Sequence, residues 1–315
     1  MNLDFSEIKV LLIGDFMLDH YIEGTSNRLS PEAPVPVIEP IREHSMAGGA
    51  GNVALNLCAL GAKVDCVGQV GNDKWGNKLV SILNNHGANT ENIEFRKNMP
   101  TTVKERIFLD GKQQIRIDRD SINSAFTTIN RIKIDFNQYD VCIFSDYNKG
   151  AVGAFKRLLT VSNTYLPNAI NIHVDPKQSN FSLYSGADFI TPNFNELKNV
   201  SIIDDLEDNE ESIIAACRKI LHTYNIRAIV AKRGGKGMIV VEKNDDVCII
   251  PAHKVKKVDV TGAGDTVIAA FALATSKTEK IVDAAKFANA AAAVIVQKFG
   301  TQTASIKEIE SLLSK

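Results

Sequence analysis

The 315-residue sequence lacks the features of several specialised protein classes. No apolar run approaches the roughly 18 residues of a membrane span, and acidic Asp4 and Glu7 near the start do not fit a signal peptide. Lys and Arg total 36 against 37 for Asp and Glu, so no charge excess predicts a nucleic-acid-binding face. We expect a cytoplasmic protein that binds neither membranes nor nucleic acid.

Paired cysteines and several catalytic motifs are also missing. The five cysteines lie far apart in or beside apolar stretches, which predicts free, buried thiols in a reducing compartment. There is no G-x-x-x-x-G-K-[ST] phosphate loop, no H-E-x-x-H and no G-x-S-x-G. These absences argue against a P-loop kinase and against the common hydrolases.

What the sequence does contain is an alternation of short apolar segments with helix-length patterns. The predicted strands are residues 9–14, 63–70, 140–145, 169–175, 188–191 and 227–232. The predicted helices are residues 51–60, 74–86, 151–165, 209–224, 263–275, 279–298 and 305–313. This alternation predicts an α/β fold, a mostly parallel sheet with helices on both faces, in one domain over residues 1–315.

Two segments, at about residues 20–40 and 97–120, alternate in polarity like half-exposed antiparallel strands. In the second, Asp110-Gly111 is a strong hairpin signal. We expect both segments to form one small β-sheet that acts as a lid over the C-terminal strand edge, where ligands bind in such folds. A β flap without that role is the alternative.

The segment "DVTGAGDT", residues 259–266, precedes an apolar helical run. A glycine turn at a helix start suits an anion, yet Asp265 lies within it. If the turn binds a phosphoryl group in transfer, Asp265 could accept the proton of the attacking hydroxyl. The alternative is that Asp265 only caps the helix.

A second glycine cluster, residues 46–61, has three interpretations. Gly49, Gly51 and Ala54 fit the G-x-G-x-x-A dinucleotide fingerprint, but the cluster does not follow the first strand directly. A turn that brings Asn52 against sugar hydroxyls, or close helix packing through small residues, would give the same pattern.

Taken together, these residues resemble the ribokinase-like (pfkB) family of carbohydrate kinases. The resemblance rests on residues 47–76, on "TPNFNE" at residues 191–196 and on residues 259–272. It implies the ribokinase-like fold with a β lid. Residues 13–37, 145–151, 175–193 and 298–305 look more particularly like bacterial heptose 7-phosphate kinases, which phosphorylate the anomeric hydroxyl of D-glycero-β-D-manno-heptose 7-phosphate for ADP-heptose and lipopolysaccharide synthesis.

The resemblance also implies roles for individual residues. Asp265 would be the base, and the anion hole would comprise Gly262, Ala263 and Gly264. ATP would contact Asn193, Asn195, Glu196, Lys232, Gly234, Gly237 and Asn289. The sugar would lie against Asp15, Asp19, Gly48, Gly49 and Asn52. Its 7-phosphate needs cations, for which the candidates are Lys104, Arg106, Arg116, Lys149 and Lys177.

The implied ligands are ATP, a sugar phosphate and Mg²⁺, which Glu196 would help to place through water. Some relatives also need a monovalent cation. Family members often pair through their lids, so a homodimer is expected. In many bacteria the kinase is fused to an adenylyltransferase; a stand-alone kinase would need that activity from a separate protein.

Three alternatives remain open from the sequence. A kinase of the same family could act on a ketohexose phosphate, ribose or 2-keto-3-deoxygluconate. A dinucleotide-dependent oxidoreductase would rest on the glycines of residues 46–61. A non-catalytic sugar-binding protein of kinase fold would have no need of a base at Asp265.

Overall fold

The computed structural model describes residues 3–120, 134–153 and 170–314. Their thirteen strands form two sheets. In chain order the strands are β1 Lys9–Gly14, β2 Phe16–Thr25, β3 Glu39–Gly49, β4 Lys63–Gly71, β5 Asn89–Arg96, β6 Thr102–Leu109, β7 Lys112–Arg119, β8 Val141–Ser145, β9 Asn171–Asp175, β10 Phe189–Ile190, β11 Ala228–Lys232, β12 Met238–Glu242 and β13 Val247–Ile250.

The larger sheet has nine strands in the order β13-β12-β11-β10-β9-β8-β1-β4-β5. The run from β11 to β5 is parallel throughout, and β12 and β13 extend it antiparallel. From β1 the chain first adds β4 and β5 on one side and later adds β8 to β11 on the other. The topological switch point therefore lies between β1 and β8, where α/β folds place their ligands.

The described helices are α1 Ala50–Ala59, α2 Lys74–Asn85, α3 Phe194–Lys198, α4 Glu210–Tyr224, α5 Ala263–Thr275, α6 Ile281–Ile295 and α7 Ile306–Leu313. Two apolar cores cover opposite faces of the large sheet, one with α1, α2, α5, α6 and α7 and the other with α4. Residues 267–274 of α5 are all buried, which explains why this helix is apolar on every side. None of the helices in the described ranges has the length and hydropathy of a transmembrane span.

The smaller sheet has the strand order β3-β2-β6-β7. Its first two strands lie at residues 16–25 and 39–49, so the antiparallel pair brackets the predicted segment 20–40 rather than filling it. The second pair joins at Asp110 (φ 48°) and Gly111 (φ 76°), the two left-handed residues of the predicted hairpin turn.

The mostly parallel sheet, its helices on both faces and the small second sheet agree with the predicted α/β fold. Three strands, β5, β12 and β13, were not predicted, and the helix predicted over residues 151–165 falls beyond residue 153 outside the described residues. β12 is a short buried apolar run and β13 is largely exposed, and apolar runs of about four residues do not distinguish a strand from a helix segment by periodicity.

Candidate active site

The side chains of interest follow the C-terminal ends of adjacent parallel strands. Asp15 comes directly after β1, Tyr147 follows β8, Asp175 ends β9 and Lys232 ends β11. Asn193, beyond the two-residue strand β10, forms a bridge with Lys232. Parallel strands bring all these positions to one edge of the sheet, beside the N-terminus of α5.

Asp265 lies in the first turn of α5 and is only 5% exposed. Its Oδ2 accepts a hydrogen bond from Asn52 Nδ2 at 2.8 Å, and its Oδ1 accepts one from the Tyr147 hydroxyl at 2.6 Å. Burial raises the pKa of Asp265 to about 7, although the hydrogen bonds from Tyr147 and Asn52 act in the opposite direction. A carboxyl group that titrates near neutrality is suited to general-base catalysis.

A buried amide and hydroxyl network supports this carboxylate. Asn56 Nδ2 donates to the Asn52 carbonyl oxygen at 2.9 Å, and the Thr266 hydroxyl lies 3.1 Å from Asn56 Oδ1. Gly262, with φ 78°, precedes the helix, and a Cβ there would lie 2.5 Å from Asn52 Nδ2. The glycine turn therefore permits Asn52 to reach Asp265.

At the glycine turn two N–H groups are open donors, and one of them, that of Gly264, belongs to the predicted anion hole. The Ala263 N–H points to the Val260 carbonyl oxygen at 3.3 Å, a long bond. Within the described part of the chain, no acceptor binds the N–H groups of Gly264 and Asp265. Because these are the first N–H groups of a 13-residue helix, they offer an anion both hydrogen bonds and the positive end of the helix dipole.

A pocket of about 180 Å³ opens in front of Asp265 and contains several charged side chains. Lys232 Nζ lies 2.6 Å from Asp175 Oδ1, and Lys177 Nζ lies 3.5 Å from Glu196 Oε1. Burial opposes the charge on Lys232, but the carboxylates of Asp175 and Glu196 outweigh it and raise the pKa of Lys232. Lys232 is therefore a permanent cation beside the α5 N-terminus.

Asn193 and Glu196 form a capping box at the start of α3. The Asn193 side chain accepts from the Glu196 N–H at 2.9 Å, while Glu196 Oε2 accepts from the Asn193 N–H at 2.7 Å. This reciprocal pair fixes the glutamate so that Oε1 faces the pocket toward Lys177. The pattern N-x-x-E is thus a local structural device as well as a family motif.

The carboxylates here fit Mg²⁺ in the form in which it accompanies nucleotides. Mg²⁺ keeps several waters and takes one or two carboxylates beside phosphate oxygens. Glu196 and Asp175 supply such oxygens at the pocket edge. Among the described residues, no group of three or more His, Cys, Asp or Glu side chains is arranged to hold a metal directly.

A second pocket of about 290 Å³ shares Asn193, Lys232 and Gly264 with the first. Its walls are largely apolar, with Met238, Val255, Val260, Val267 and Val296. It also contains three of the predicted nucleotide residues, Gly234, Gly237 and Asn289. An apolar slot continuous with a charged pocket suits a flat base followed by phosphates.

One predicted nucleotide residue is not brought to these pockets. Asn195 is exposed on α3, and neither pocket includes it. It lies two positions after Asn193, and this spacing on a helix turns the two side chains away from each other.

The small sheet turns one face toward the switch point. Parallel pairing of β2 with β6 sets Asp19 beside Lys104 and Tyr21 beside Arg106. Arg106 Nη1 lies 2.5 Å from Asp19 Oδ1, and its guanidinium stacks 5.3 Å from the Tyr21 ring centre. Lys104 Nζ lies 5.6 Å from the Tyr147 ring centre, so this face adjoins the Asp265 site.

Gly48 and Gly49, predicted to contact sugar, allow β3 to approach closely. A Cβ at Gly48 would lie 2.5 Å from Asp19 Oδ2. Gly49 has φ 55°, and a Cβ there would lie 2.7 Å from the Asp15 carbonyl oxygen. Both glycines therefore let β3 pack closely against the residues that follow β1, and this packing alone would require glycine at the two positions.

Other predicted sugar residues are already engaged within the protein. Asp15 accepts three backbone N–H bonds at 2.9 to 3.1 Å, from Tyr147, Lys149 and Ala151. Lys149 Nζ pairs with Asp120 at 2.9 Å. Arg116 pairs with Asp118 at 2.9 Å on the open part of the lid sheet. Lys177 lies with Glu196 in the charged pocket, away from the lid.

The sequence did not single out Tyr147 or Asp175. Both lie in segments of the family resemblance, residues 145–151 and 175–193, in which the predicted cations were Lys149 and Lys177. Their signal was positional: a polar residue at the C-terminal end of a predicted parallel strand is a candidate site residue. Which of these residues faces the base depends on the order of strands in the sheet.

Comparisons with known proteins show the family to which the chain is similar. The family model described as "pfkB family carbohydrate kinase" matches residues 7–308. The bifunctional protein HldE of Sulfurimonas denitrificans is 39% identical over 308 residues, covering 96% of this chain and 63% of the relative. HldE of Gluconacetobacter diazotrophicus is also 39% identical, over 98% of this chain and 64% of its own. The chain thus spans just under two thirds of the length of these relatives.

Solved structures share the fold at lower identity. Ribokinase from Thermotoga maritima superposes with a TM-score of 0.75 at 24% identity, over 98% of this chain and 99% of its own. Phosphofructokinase-2 from Escherichia coli gives a TM-score of 0.79 at 17% identity, over 98% of each chain. The ribokinase-like fold is therefore confirmed, and the chain belongs to the pfkB family of carbohydrate kinases.

Proposed function

We propose that this protein transfers the γ-phosphoryl group of ATP to the anomeric hydroxyl of D-glycero-β-D-manno-heptose 7-phosphate. The observation that carries the proposal is the buried carboxylate of Asp265. It accepts two side-chain hydrogen bonds and lies beside open N–H groups at the α5 N-terminus. Base and anion site in one helical turn are what a phosphoryl transfer to a hydroxyl requires.

In the proposed reaction Asp265 accepts the proton of the sugar hydroxyl. The hydroxyl oxygen forms a bond to the γ-phosphorus as the bond from that phosphorus to the bridging oxygen breaks, and ADP leaves with the electron pair. The N–H groups of Gly264 and Asp265 and the ammonium of Lys232 stabilise the charge on the transferred group. The products are the heptose 1,7-bisphosphate, ADP and a protonated Asp265.

The charged pocket would hold the phosphates, and the apolar pocket the adenine. Glu196 and Asp175 would hold Mg²⁺ in part through water, and the bound ion would neutralise phosphate charge. Asn193 fixes Glu196 through the capping box. Lys177 lies 3.5 Å from Glu196, and so we assign it to the nucleotide phosphates rather than to the sugar.

A phosphorylated acceptor is supported by the cations of the lid face. Arg106 is paired with Asp19, and Arg116 with Asp118. Lys104 has no carboxylate partner among the residues that the structure describes, and it lies over Tyr147, the hydrogen-bond donor to Asp265. We assign Lys104 as the contact for the sugar phosphate, with Arg106 and Asp19 toward the sugar hydroxyls.

The sequence resemblance to heptose 7-phosphate kinases and the relatives named bifunctional protein HldE support this choice of sugar. The test is ADP release with Mg·ATP, offering the heptose 7-phosphate, fructose 6-phosphate, fructose 1-phosphate and ribose in parallel. Turnover confined to the heptose phosphate, and reduced at least about 100-fold in Asp265→Asn, is expected. Turnover on another sugar would overturn the acceptor, and full activity of Asp265→Asn would overturn the base.

We also propose that two copies pair through the lid sheet. The outer face of that sheet has exposed apolar side chains, among them Ile41 at 73% and Ile115 at 52% exposure. Among the residues that the structure describes, β3 and β7 are the edge strands of this sheet. A dimeric mass in light scattering, lost in Ile41→Lys/Ile115→Lys, is expected; a monomer in the unaltered protein would contradict the pairing.

A further inference from the structure

The segment of residues 145–151 after β8 is held in one conformation by buried carboxylates. Asp15 binds three of its backbone N–H groups. Asp146 accepts the N–H of Asn148 at 2.7 Å and the hydroxyl of Tyr184 at 2.6 Å. Asn148 takes a left-handed conformation with φ 57°. These bonds fix where the Tyr147 side chain points, independently of its hydroxyl.

That side chain ends on the candidate base. The Tyr147 hydroxyl donates to Asp265 Oδ1 at 2.6 Å, while Asn52 occupies Oδ2 at 2.8 Å. Burial and the charge of Asp265 raise the pKa of Tyr147 well above its usual value, so the phenol keeps its proton and remains a donor. Each carboxylate oxygen has a second lone pair, which leaves room for the sugar hydroxyl.

We propose that Tyr147 is a positioning residue for Asp265, whose hydroxyl holds the carboxylate in one orientation and in its charged form as the sugar hydroxyl approaches. This inference rests on the proposed function, in which Asp265 is the base. A hydrogen bond between a phenol and a carboxylate is charge-assisted, and it becomes weaker when Asp265 is protonated. Tyr147 therefore favours the form of Asp265 that can accept a proton.

Other charged groups face the same carboxylate. Lys232, from the end of β11, lowers the pKa of Asp265, and Asp175, from the end of β9, raises it. These two side chains pair with each other at 2.6 Å, so their effects on Asp265 largely offset. Lys104 of the lid lies over the Tyr147 ring rather than against the carboxylate. The hydrogen bonds of Tyr147 and Asn52 are thus the main interactions that oppose burial.

The test compares Tyr147→Phe with a matched control, Tyr139→Phe. Each change removes one hydroxyl that donates to an aspartate, at 2.6 Å to Asp265 and at 2.7 Å to Asp65, but Asp65 lies near the N-terminal end of β4, away from the site. The carboxyl titration of Asp265 is followed by ¹³C NMR of aspartate-labelled protein, with the signal assigned by Asp265→Asn. The pH dependence of kcat is measured on the same proteins.

In Tyr147→Phe the titration midpoint of Asp265 and the acid limb of kcat should both move up by about one pH unit, the effect of one charge-assisted hydrogen bond. Below the midpoint kcat should fall about tenfold, with KM for Mg·ATP changed less than about twofold. Tyr139→Phe should leave both midpoints in place. An unchanged Asp265 midpoint in Tyr147→Phe, or an equal shift in Tyr139→Phe, would overturn the inference.

The NMR titration needs no substrate, so it separates this inference from the proposed function. If no sugar in the panel is phosphorylated, the proposed function fails while the titration still tests Tyr147. A second variant, Tyr147→Gln, restores an N–H donor without the phenol. Its midpoint should lie between those of the unaltered protein and Tyr147→Phe; if it coincides with that of Tyr147→Phe while both are folded, a hydrogen bond is not the cause.

Discussion

Asp265 shows how one side chain can serve both a helix terminus and a reaction. An acidic residue in the first turn is favourable for any helix, because it faces the positive end of the dipole. Here the carboxylate is also buried, and it accepts hydrogen bonds from Asn52 and Tyr147. A helix cap on the surface needs neither burial nor two side-chain donors, so these contacts favour the catalytic interpretation.

Gly262 offers a sharp single-residue prediction. Gly262→Ala should lower kcat about tenfold or more, because the new Cβ would lie 2.5 Å from Asn52 Nδ2 and push the amide from Asp265. The left-handed backbone should cost about 1 kcal/mol of unfolding free energy in addition. Steady-state kinetics and urea unfolding measure the two effects.

The matched control for this variant is Gly186→Ala. Gly186 has φ 81°, close to the 78° of Gly262, but a Cβ there meets nothing within 4 Å. It should lose similar stability and keep full activity. Equal kinetic effects of both substitutions would mean that backbone strain, rather than the contact with Asn52, disturbs the site.

Among the elements, the short helix α3 depends on its capping box. Asn193→Ala should lower the free energy of unfolding by about 1 kcal/mol, since it removes the N-cap acceptor. It should also raise KM for Mg·ATP several-fold, because the lost side chain borders both pockets and accepts the backbone N–H of Glu196.

Ser305 gives the comparison for that change. It forms the same kind of capping box with Glu308 at the start of α7, at a distance from the charged pocket. Ser305→Ala should lose about as much stability as Asn193→Ala, about 1 kcal/mol, with unchanged kinetics. If both variants have the same KM for Mg·ATP, the box at α3 is structural only.

The lid sheet yields a prediction about the acceptor. Lys104→Met keeps the length of the side chain and removes its charge, so KM for the sugar phosphate should rise about tenfold with little change in kcat. Lys112→Met, at the exposed turn of the same sheet, is the control and should not change KM. An unaltered KM in Lys104→Met would assign the phosphate to another cation of this face.

For the whole molecule, the core contains a histidine that must stay neutral. His173 is fully buried between Phe189 and Phe271, and burial lowers its pKa to about 3. The Thr275 hydroxyl donates to the Ala272 carbonyl oxygen at 2.8 Å, so it accepts from His173 Nε2 at 3.1 Å. Nδ1 then lacks a proton, and no described residue binds it.

The unfolded chain binds a proton at His173 below about pH 6.5, which the folded protein resists until about pH 3. The contribution of His173 to the free energy of unfolding should therefore fall as the pH is lowered through this range, by about 2 kcal/mol at pH 5. The raised pKa of Asp265 acts in the opposite direction, because the folded protein binds that proton more readily than the unfolded chain. In urea unfolding between pH 7.5 and 5, His173→Gln, which retains a donor near Nε2, should therefore lose less stability, or gain more, than the unaltered protein. His86→Gln, an exposed control, should keep the pH dependence of the unaltered protein; the same pH dependence in His173→Gln would contradict this assignment.

Much of the fold followed from local patterns in the chain. The β1 segment, α5 and the Asp110-Gly111 turn were predicted close to their observed bounds. Apolar periodicity and left-handed turn residues depend on neighbours in the sequence, so the sequence alone predicts the elements that they form. The family also followed from contiguous motifs, and the comparisons confirm it.

The sequence did not predict which residues contact the site residues. Asp265 is bound by residues 118 and 213 positions away along the chain, and Asp15 proved to hold the backbone of residues 147–151. The sequence could not distinguish Lys177 from Lys104 as phosphate ligands. In the structure Lys177 lies beside Glu196 in the charged pocket, and Lys104 lies on the lid sheet over Tyr147. Hydrogen bonds and ion pairs form only within about 4 Å, so they depend on strand order and packing, which bring distant segments together in ways that no local pattern encodes.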